Sequence, residues 1–226
     1  MTRVKMCGLM NEKDIHLCVQ AGVHTLGFVV DYPVPVPWNL AADEAGKLVQ
    51  STPPFVNTCV VTGGTVEKVL EIAEKVRPNL MQLHYEETLD EVKEIARQLN
   101  LQGIKTIKAL RIDASGKCRF EIEDPVEAAL ELSQSGISAI LVDSYTESMP
   151  GGTGVRVDLA TFEKVKAASK LPVILAGGLN PENIQSLVSR AKPFAVDVLT
   201  GVEVSPGEKD EKKVKQFMKN IVQSLA

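Results

Sequence analysis

Two side chains with acid–base chemistry stand at the ends of predicted strands. The apolar run from Val4 to Met6 breaks into a loop at Cys7, and a later apolar run ends at Asp143. Cys7 has two interpretations, because free cysteine is often a buried packing residue and a thiolate also serves as a base or nucleophile. Lys5 lies two positions before Cys7, on the same side of a strand, where its charge would stabilise a thiolate.

Asp143 is also open to two interpretations. An aspartate that follows a strand commonly caps a turn or a helix. At a partly apolar mouth, however, a carboxyl group has a raised pKa and is suited to act as an acid. A thiolate base and a carboxylic acid on opposite sides of one ligand would move a proton within a sugar-like substrate. Whether Cys7 and Asp143 meet in this way depends on the elements that position them.

Short β-branched runs alternate with longer amphipathic stretches along the chain. The predicted strands are 4–8, 25–30, 55–61, 80–84, 105–110, 139–143, 172–177 and 195–199. The predicted helices are 11–21, 41–50, 65–76, 87–99, 124–135, 159–169, 181–190 and 209–224, with Asn11, Asp158 and Asn180 at the starts of three of them. This alternation indicates repeated βαβ units and a parallel sheet. The number of units favours an α/β protein with a closed (β/α)8 TIM barrel over an open doubly wound sheet.

The composition predicts one ordinary globular domain over residues 1–226. No composition shift or long linker divides the chain, and 44% of its residues are hydrophobic and 24% charged. A net charge of −4 lacks the basic excess that nucleic acids and membrane surfaces attract, so we expect neither as a partner. The 4 cysteines have no CxxC spacing, which is typical of reduced thiols rather than a disulfide or zinc framework. With no apolar leader visible, we expect a cytoplasmic protein.

Glycine-rich turns follow the last three predicted strands. They are PGGTG at 150–154, AGGLNPEN at 176–183 and LTGVEVSPG at 199–207. Glycine lets backbone N–H groups approach an anion closely, and barrel phosphate sites occur after the seventh and eighth strands. A single glycine pair is ordinary turn chemistry, but three such turns at neighbouring strand ends favour a phosphate site. The candidate phosphate or substrate contacts are Gly152, Gly154, Gly177, Gly178, Thr200 and Gly201.

Longer motifs resemble those of a known family. VKMCGL at 4–9, LAGGLNPENI at 175–184 and FAVDVLTGVEVSPGEKD at 194–210 resemble the phosphoribosylanthranilate isomerase family, and the resemblance runs nearly end to end. It implies a (β/α)8 barrel that converts N-(5′-phosphoribosyl)anthranilate, an aminoaldose, into an aminoketose by an Amadori rearrangement in tryptophan biosynthesis. In that family an aspartate protonates the ribose ring oxygen and a cysteine removes the C2′ proton, and these roles fall on Asp143 and Cys7. The resemblance implies a small phosphorylated sugar-amine as the partner and no metal or organic cofactor.

The chain departs from the family pattern where the aglycone would bind. The family's loop after the second strand carries an arginine that pairs with the anthranilate carboxylate, whereas this loop reads DYPVPVPWNL and has Pro37 at that place. Tyr85 and Val155 stand where the family usually has glycine and lysine. Proline cannot supply the bidentate cation, so another residue would have to bind the carboxylate. The candidate replacements are Arg3, Arg111 and Arg156.

Three hypotheses for the function stay open at this point. The first is the family's isomerase, and the second is an isomerase of a related aminoaldose phosphate with a different aglycone. The third is a non-catalytic protein that binds a phosphorylated ligand, which the retention of both Cys7 and Asp143 disfavours. We interpret His84 as a hydrogen-bonded rim residue, and Trp38 and Tyr32 either as a platform for a planar aglycone or as a cover for the barrel mouth. Both a monomer and a homodimer are compatible with the sequence.

Overall fold

Parallel strands with helices between them form the protein, because its apolar runs are buried on both faces. A computed structural model describes residues 1–144 and 158–223. The barrel strands are β1 (Arg3–Met6), β2 (Thr25–Val30), β3 (Asn57–Thr62), β4 (Leu80–Leu83), β5 (Lys105–Ile112), β6 (Ala139–Ser144), β7 (Val173–Leu175) and β8 (Ala195–Val198). The helices are α1 (Glu12–Gln20), α2 (Ala42–Gln50), α3 (Val66–Val76), α4 (Leu89–Leu101), α5 (Pro125–Leu132), α6 (Leu159–Ala168), α7 (Ile184–Ala191) and α8 (Glu211–Gln223).

The sheet closes on itself into a barrel. Each of the strands β1 to β8 pairs in parallel with the next one, and β1 also pairs with β8. The predicted TIM barrel is therefore confirmed, and the open doubly wound alternative is wrong. The assignment of residues 1–226 to one domain stays a prediction. In the described ranges, no helix has both the length and the apolar character needed to cross a membrane.

Two apolar layers stabilise the barrel. A small cluster fills its interior and consists of Cys59, Ile107, Ala109, Ala139, Leu141, Ile174, Ala176 and Ala195. A larger cluster packs the outward faces of the strands against the helices. Since inward and outward side chains alternate along a strand, Asp143 shares the inward side of β6 with Ala139 and Leu141. By the same alternation, Asp197 faces inward beside Ala195 on β8.

Two of the three predicted helix starts are confirmed, and the third is wrong. The side chains of Asn11 and Asp158 accept backbone N–H groups in the first turns of α1 and α6. Asn180 and Asn183, in contrast, exchange two side chain to backbone hydrogen bonds of 3.0 Å, and α7 begins only at Ile184. The asparagine side chains accept the backbone N–H groups of residues 180 and 183 within the loop after β7. The helix therefore begins after these residues and not at Pro181.

Two short elements at the barrel mouth have no counterpart among the predictions. A strand of two residues, Asn39–Leu40, pairs with the carboxyl end of β2. An antiparallel pair, Glu203–Ser205 and Glu208–Lys209, follows β8. Segments of two or three residues are too short to show hydrophobic periodicity, so pattern analysis does not detect them. Both elements shape the loops around the candidate site.

Candidate active site

A cavity opens at the carboxyl ends of the barrel strands. Its polar lining includes Cys7, Gln82, His84, Asp143, Asp197 and Thr200. Its apolar lining includes Val29, Val36, Trp38, Val61 and Leu199. The closed barrel therefore brings Cys7 and Asp143, which are far apart in sequence, to one cavity, as the strand-end positions predict.

Cys7 lies next to a buried ion pair. The pairing of β1 with β8 places Lys5 opposite Asp197, and the Lys5 Nζ lies 2.7 Å from the Asp197 Oδ2. Burial raises the pKa of the Cys7 thiol, while the charge and hydrogen bond of Lys5 act to lower that pKa. Burial acts to lower the pKa of Lys5, but the charge and hydrogen bond of Asp197 together with the charges of Cys7 and Cys59 outweigh it, and the pKa of Lys5 rises. Lys5 therefore stays an ammonium group, which stabilises a thiolate at Cys7.

The pKa of Asp143 lies close to neutral pH. Burial and, next to it, the negative charge of Asp197 raise the pKa of Asp143 to about 7. The backbone N–H of Ser144 donates to Asp143 Oδ1 at 2.8 Å and acts in the opposite direction. A carboxyl group that holds its proton close to neutral pH is suited to act as a general acid.

His84 lies beside this acid. Its Nε2 is 3.6 Å from the Asp143 Oδ2, and its Nδ1 is 3.1 Å from the Gln82 Nε2. The Tyr32 hydroxyl donates to the His84 backbone oxygen at 2.7 Å, which fixes the end of β4. His84 is thus hydrogen-bonded, as we interpret it from the sequence, but it is also part of the cavity lining. Local spacing does not reveal its proximity to Asp143, because the two residues come from β4 and β6.

Two of the predicted phosphate glycines have left-handed backbone conformations. Gly177 and Gly178 have φ angles of 87° and 63°, and both line the cavity together with Thr200. Glycine adopts these angles without a steric penalty, so the turn after β7 presents its backbone directly to the cavity. The other predicted contacts, Gly152 and Gly154, lie outside the described residues.

Gly201 has a packing function next to the cavity rather than a place among the lining residues. A Cβ at this position would overlap the carbonyl oxygen of Leu179 in the loop after β7. The absence of a side chain at Gly201 therefore lets the loops after β7 and β8 approach closely. This approach holds Thr200, which precedes Gly201, next to the Gly177–Gly178 turn.

The loop after β2 is tied to the loop after β8 through Trp38. The Trp38 side chain packs against Gly8, and its indole Nε1 donates to both carboxylate oxygens of Glu203 at 3.0 and 3.2 Å. Lys209 Nζ binds the same carboxylate at 2.7 Å and also donates to the Cys7 backbone oxygen at 2.6 Å. The buried indole therefore forms one wall of the cavity and closes the cavity on that side.

None of the described arginines is among the residues that line the cavity, although the charge of Arg111 acts on Asp143. Arg3 lies at the amino end of β1, which is the opposite end of the barrel. Arg111 pairs in register with Asp143 and is only 2% exposed, with its guanidinium 5.9 Å from the centre of the Tyr85 ring. Among the described lining residues, none is a lysine or an arginine. Arg156 lies outside the described residues.

The fold and the site together define a class of protein. A (β/α)8 barrel that gathers a buried thiol and a carboxyl group of raised pKa at the carboxyl ends of its strands has the arrangement of an acid–base barrel enzyme. The chain belongs to the phosphoribosylanthranilate isomerase family, because the family described as N-(5'phosphoribosyl)anthranilate (PRA) isomerase matches residues 4–220. The resemblance found in the sequence motifs is thereby confirmed.

Relatives named N-(5′-phosphoribosyl)anthranilate isomerase match nearly the whole chain. The relative from Methanosarcina acetivorans is 35% identical, and the match covers 97% of this chain and 93% of the relative. The relative from Natronomonas pharaonis is 37% identical, and the match covers 96% of this chain and 97% of the relative.

Solved structures of the family share the fold. Phosphoribosylanthranilate isomerase from Thermotoga maritima has a TM-score of 0.81 and 32% identity, with 99% of this chain and 100% of that chain covered. A phosphoribosylanthranilate isomerase in complex with reduced 1-(o-carboxyphenylamino)-1-deoxyribulose 5-phosphate has a TM-score of 0.78 and 31% identity, with 99% and 100% covered. A third structure shows monomers generated from the dimeric Thermotoga maritima enzyme, with a TM-score of 0.79, 30% identity, and 99% and 100% covered.

Proposed function

We propose that this protein isomerises N-(5′-phosphoribosyl)anthranilate to 1-(o-carboxyphenylamino)-1-deoxyribulose 5-phosphate. The observation that carries the proposal is a cavity lined both by the Cys7 thiol, which lies beside the ammonium group of Lys5, and by the carboxyl group of Asp143, whose pKa is raised to about 7. Family membership supports the same reaction, and so does the relative whose bound ligand is a reduced form of this ketose.

Asp143 is the proposed general acid. It donates its proton to the ribose ring oxygen, the bond between C1′ and that oxygen breaks, and the nitrogen lone pair forms a C1′=N bond. The open chain then carries a hydroxyl group at C4′ and an iminium group that withdraws electrons from C2′. The positive charges of Lys5 and Arg111 act to lower the pKa of Asp143, so they stabilise the carboxylate that forms when the proton leaves.

Cys7 is the proposed general base. Its thiolate removes the proton from C2′, and the electron pair of that bond moves into C1′–C2′ and returns the nitrogen to a neutral amine. The resulting enolamine takes up a proton at C1′ and loses the hydroxyl proton at C2′, which yields the ketose. Substrate and product have the same atoms and electrons, so this scheme uses proton transfers alone and assigns no role to a cofactor.

The two ends of the substrate are assigned to opposite sides of the cavity. Gly177, Gly178 and Thr200 are proposed to bind the phosphate through backbone N–H groups and a hydroxyl group, with Gly201 supporting their loop. The remaining proposed contacts of this loop cluster are Gly152 and Gly154. The aryl group is proposed to lie against Trp38 and the apolar residues beside it, since a flat apolar ring suits an apolar wall.

A second candidate is the isomerisation of an aminoaldose 5-phosphate whose aglycone has no carboxylate. The observation that favours it is the lack of lysine and arginine among the described lining residues, together with Pro37 in the loop after β2. A carboxylate that entered this cavity without a cation would lose hydration without gaining an ion pair. The two candidates share the same acid, base and phosphate contacts and differ only in the aglycone.

The decisive test compares the turnover of two substrates. Turnover of freshly generated phosphoribosylanthranilate is monitored through its fluorescence, and turnover of the aniline analogue that lacks the carboxylate is monitored through formation of the ketose. The first proposal predicts rapid conversion of the anthranilate substrate, with a higher kcat/KM than for the analogue. A higher kcat/KM for the analogue would identify the second candidate instead. If neither compound reacts while ribose 5-phosphate still binds, the barrel is a binding protein and both isomerase proposals are wrong.

We propose a homodimer as the state in solution. One family member is described as dimeric, and Phe55, in the loop between α2 and β3, is fully exposed with a left-handed φ of 69°. An exposed aromatic side chain on an unfavourable backbone conformation is most easily explained by a partner that covers it.

We also propose a cytoplasmic location, because cells retain phosphorylated sugars behind a membrane that the phosphate charge does not cross.

A further inference from the structure

Asp197 has a buried carboxylate oxygen that the proposed chemistry does not use. Its Oδ2 binds Lys5 Nζ at 2.7 Å, whereas its Oδ1 is buried and has no hydrogen-bond partner within residues 1–144 and 158–223. The side chain is 8% exposed and lines the cavity together with Cys7 and Asp143. A buried carboxylate oxygen without a donor is costly, so this position calls for a hydrogen-bond donor that the described residues do not provide.

The path of the substrate across the barrel identifies such a donor. C2′ must lie at Cys7, and the phosphate on C5′ must lie at Gly177, Gly178 and Thr200. β8 stands between these two places, because it pairs with β1 on one side and β7 on the other, and the Cys7 N–H donates to the backbone oxygen of Val198 at 2.9 Å. The carbons C3′ and C4′ therefore have to cross over β8.

Asp197 is the inward-facing carboxylate of β8 below this path. The oxygen on C4′ is the ring oxygen, which must face Asp143 on β6 to receive its proton. Of the two free hydroxyl groups, the one on C2′ belongs to the reacting carbon at Cys7, so the 3′-hydroxyl is the donor available to β8. C3′ is bonded to C2′, so the 3′-hydroxyl lies close to the carbon at Cys7. Asp197 is also close to Cys7, because it pairs in register with Lys5, two residues before Cys7.

We propose that Asp197 is a substrate-binding residue whose Oδ1 accepts a hydrogen bond from the 3′-hydroxyl of the sugar. The inference rests on the proposed isomerase function and adds to it the group that recognises the ribose between the two ends of the substrate. Since Asp197 also binds Lys5, the same carboxylate links the position of the sugar to the ammonium group beside the Cys7 thiol. Sugars without a hydroxyl group at C3′ are then poor substrates.

The test combines a variant with a substrate analogue. Wild type and Asp197→Ala are each assayed with phosphoribosylanthranilate and with its 3′-deoxy analogue. In wild type, loss of the 3′-hydroxyl should lower kcat/KM by about 10- to 100-fold, the value of a hydrogen bond to a charged acceptor. In Asp197→Ala, which has no carboxylate, the two substrates should differ by less than about 3-fold.

Each outcome separates this inference from the alternatives. If Asp197 acts only through Lys5, the variant lowers kcat/KM for both substrates and keeps the wild-type ratio between them, which overturns the inference. Wild type decides the matter even if the variant fails to fold, because an unchanged kcat/KM for the 3′-deoxy analogue also overturns it. Lack of turnover of the normal substrate by wild type would overturn the proposed function, and the assignment of Asp197 with it.

Discussion

Asp143 and Asp197 are two carboxyl groups in one cavity, and they differ in their contacts. Burial raises the pKa of Asp197, while the charge and the hydrogen bond of Lys5, whose Nζ lies 2.7 Å away, act to lower that pKa. Asp143 is buried near Asp197, and burial together with the negative charge of Asp197 raises the pKa of Asp143 to about 7. The proposed acid Asp143 and the proposed acceptor Asp197 are thus interacting carboxyl groups, and the ammonium group of Lys5 binds only the second of them.

The raised pKa of Asp143 predicts a pH-dependent loss of stability. The unfolded chain ionises this group near pH 4, whereas the folded protein keeps the proton up to about pH 7, so the free energy of unfolding falls as pH rises between these values. At about 1.4 kcal/mol per pH unit, the loss reaches at most about 4 kcal/mol. Asp143→Asn avoids this loss, so it should match wild type near pH 4 and be more stable by about 2–4 kcal/mol at pH 8.

Urea unfolding of wild type and Asp143→Asn at the two pH values measures this difference. Asp113→Asn is a suitable control, because Asp113 is a partly exposed carboxyl group whose pKa is lowered by its hydrogen bond to Ser115. That variant should show no gain at pH 8. A difference between wild type and Asp143→Asn that is the same at both pH values would show that Asp143 is not protonated in the folded protein.

At the scale of elements, local patterns predict the barrel but not its mouth. The strands of the barrel appear as short apolar runs and most of its helices as longer amphipathic stretches, which is why their order and approximate bounds follow from the sequence. The short strand Asn39–Leu40 and the bond between Trp38 and Glu203 have no such signature. Trp38 and Glu203 are 165 positions apart in the chain, and only the closed barrel brings them into contact.

The candidate site likewise has residues that the sequence predicts and residues that it does not. Cys7, Asp143 and the Gly177–Gly178 turn could be predicted, because strand ends and glycine-rich turns are visible in the sequence and barrel sites lie at strand ends. The proximity of His84 to Asp143 could not, since it depends on side chains from two non-neighbouring strands. Asp197 left a usable signal, an aspartate within the otherwise apolar strand AVDV, and a charge in such a strand indicates a partner or a function.

The loop that holds Thr200 provides a test at this scale. Gly201→Ala places a methyl group against the backbone of Leu179, so the loops after β7 and β8 must separate. We expect the KM for the phosphorylated substrate to rise by about 10-fold or more, since displaced backbone donors weaken the phosphate contacts. Gly46→Ala is the matched control, because a Cβ there meets only the Lys75 oxygen at 3.8 Å.

The control variant should behave in the opposite way in a stability measurement. Gly46 lies within α2, where alanine is favoured over glycine by about 0.5–1 kcal/mol, so its replacement should leave KM unchanged and raise the free energy of unfolding. An unchanged KM in Gly201→Ala as well would show that the close approach of the two loops does not contribute to phosphate binding.

At the scale of the whole molecule, the described residues of the cavity lie at one end of the barrel, while Phe55 is exposed at another place on the surface. Every lining residue that we describe belongs to a single barrel. Phe55 lies in a loop that enters the barrel at the amino end of β3, away from the carboxyl ends that form the cavity. Association through Phe55 would therefore stabilise the fold without adding residues to the site.

This separation predicts that the dimer can be dissociated without loss of activity. Phe55→Asn removes the apolar contact and keeps a residue that tolerates the left-handed backbone, so sedimentation equilibrium should show a shift from dimer to monomer. Leu101→Asn, which alters another exposed apolar residue at the end of α4, should leave the dimer intact. The kcat/KM of the monomeric variant should stay within about 3-fold of wild type. A wild-type protein that sediments as a monomer would refute the assignment of Phe55.

Steady-state kinetics test most directly whether Cys7 and Asp143 act as base and acid. Wild type, Cys7→Ser, Asp143→Asn and the control Cys118→Ser are compared for conversion of phosphoribosylanthranilate. We predict that kcat falls by about 10²- to 10⁴-fold in each of the first two variants, as expected for loss of a general base or acid, and stays near wild type in the control. Wild-type turnover in either Cys7→Ser or Asp143→Asn would contradict the account.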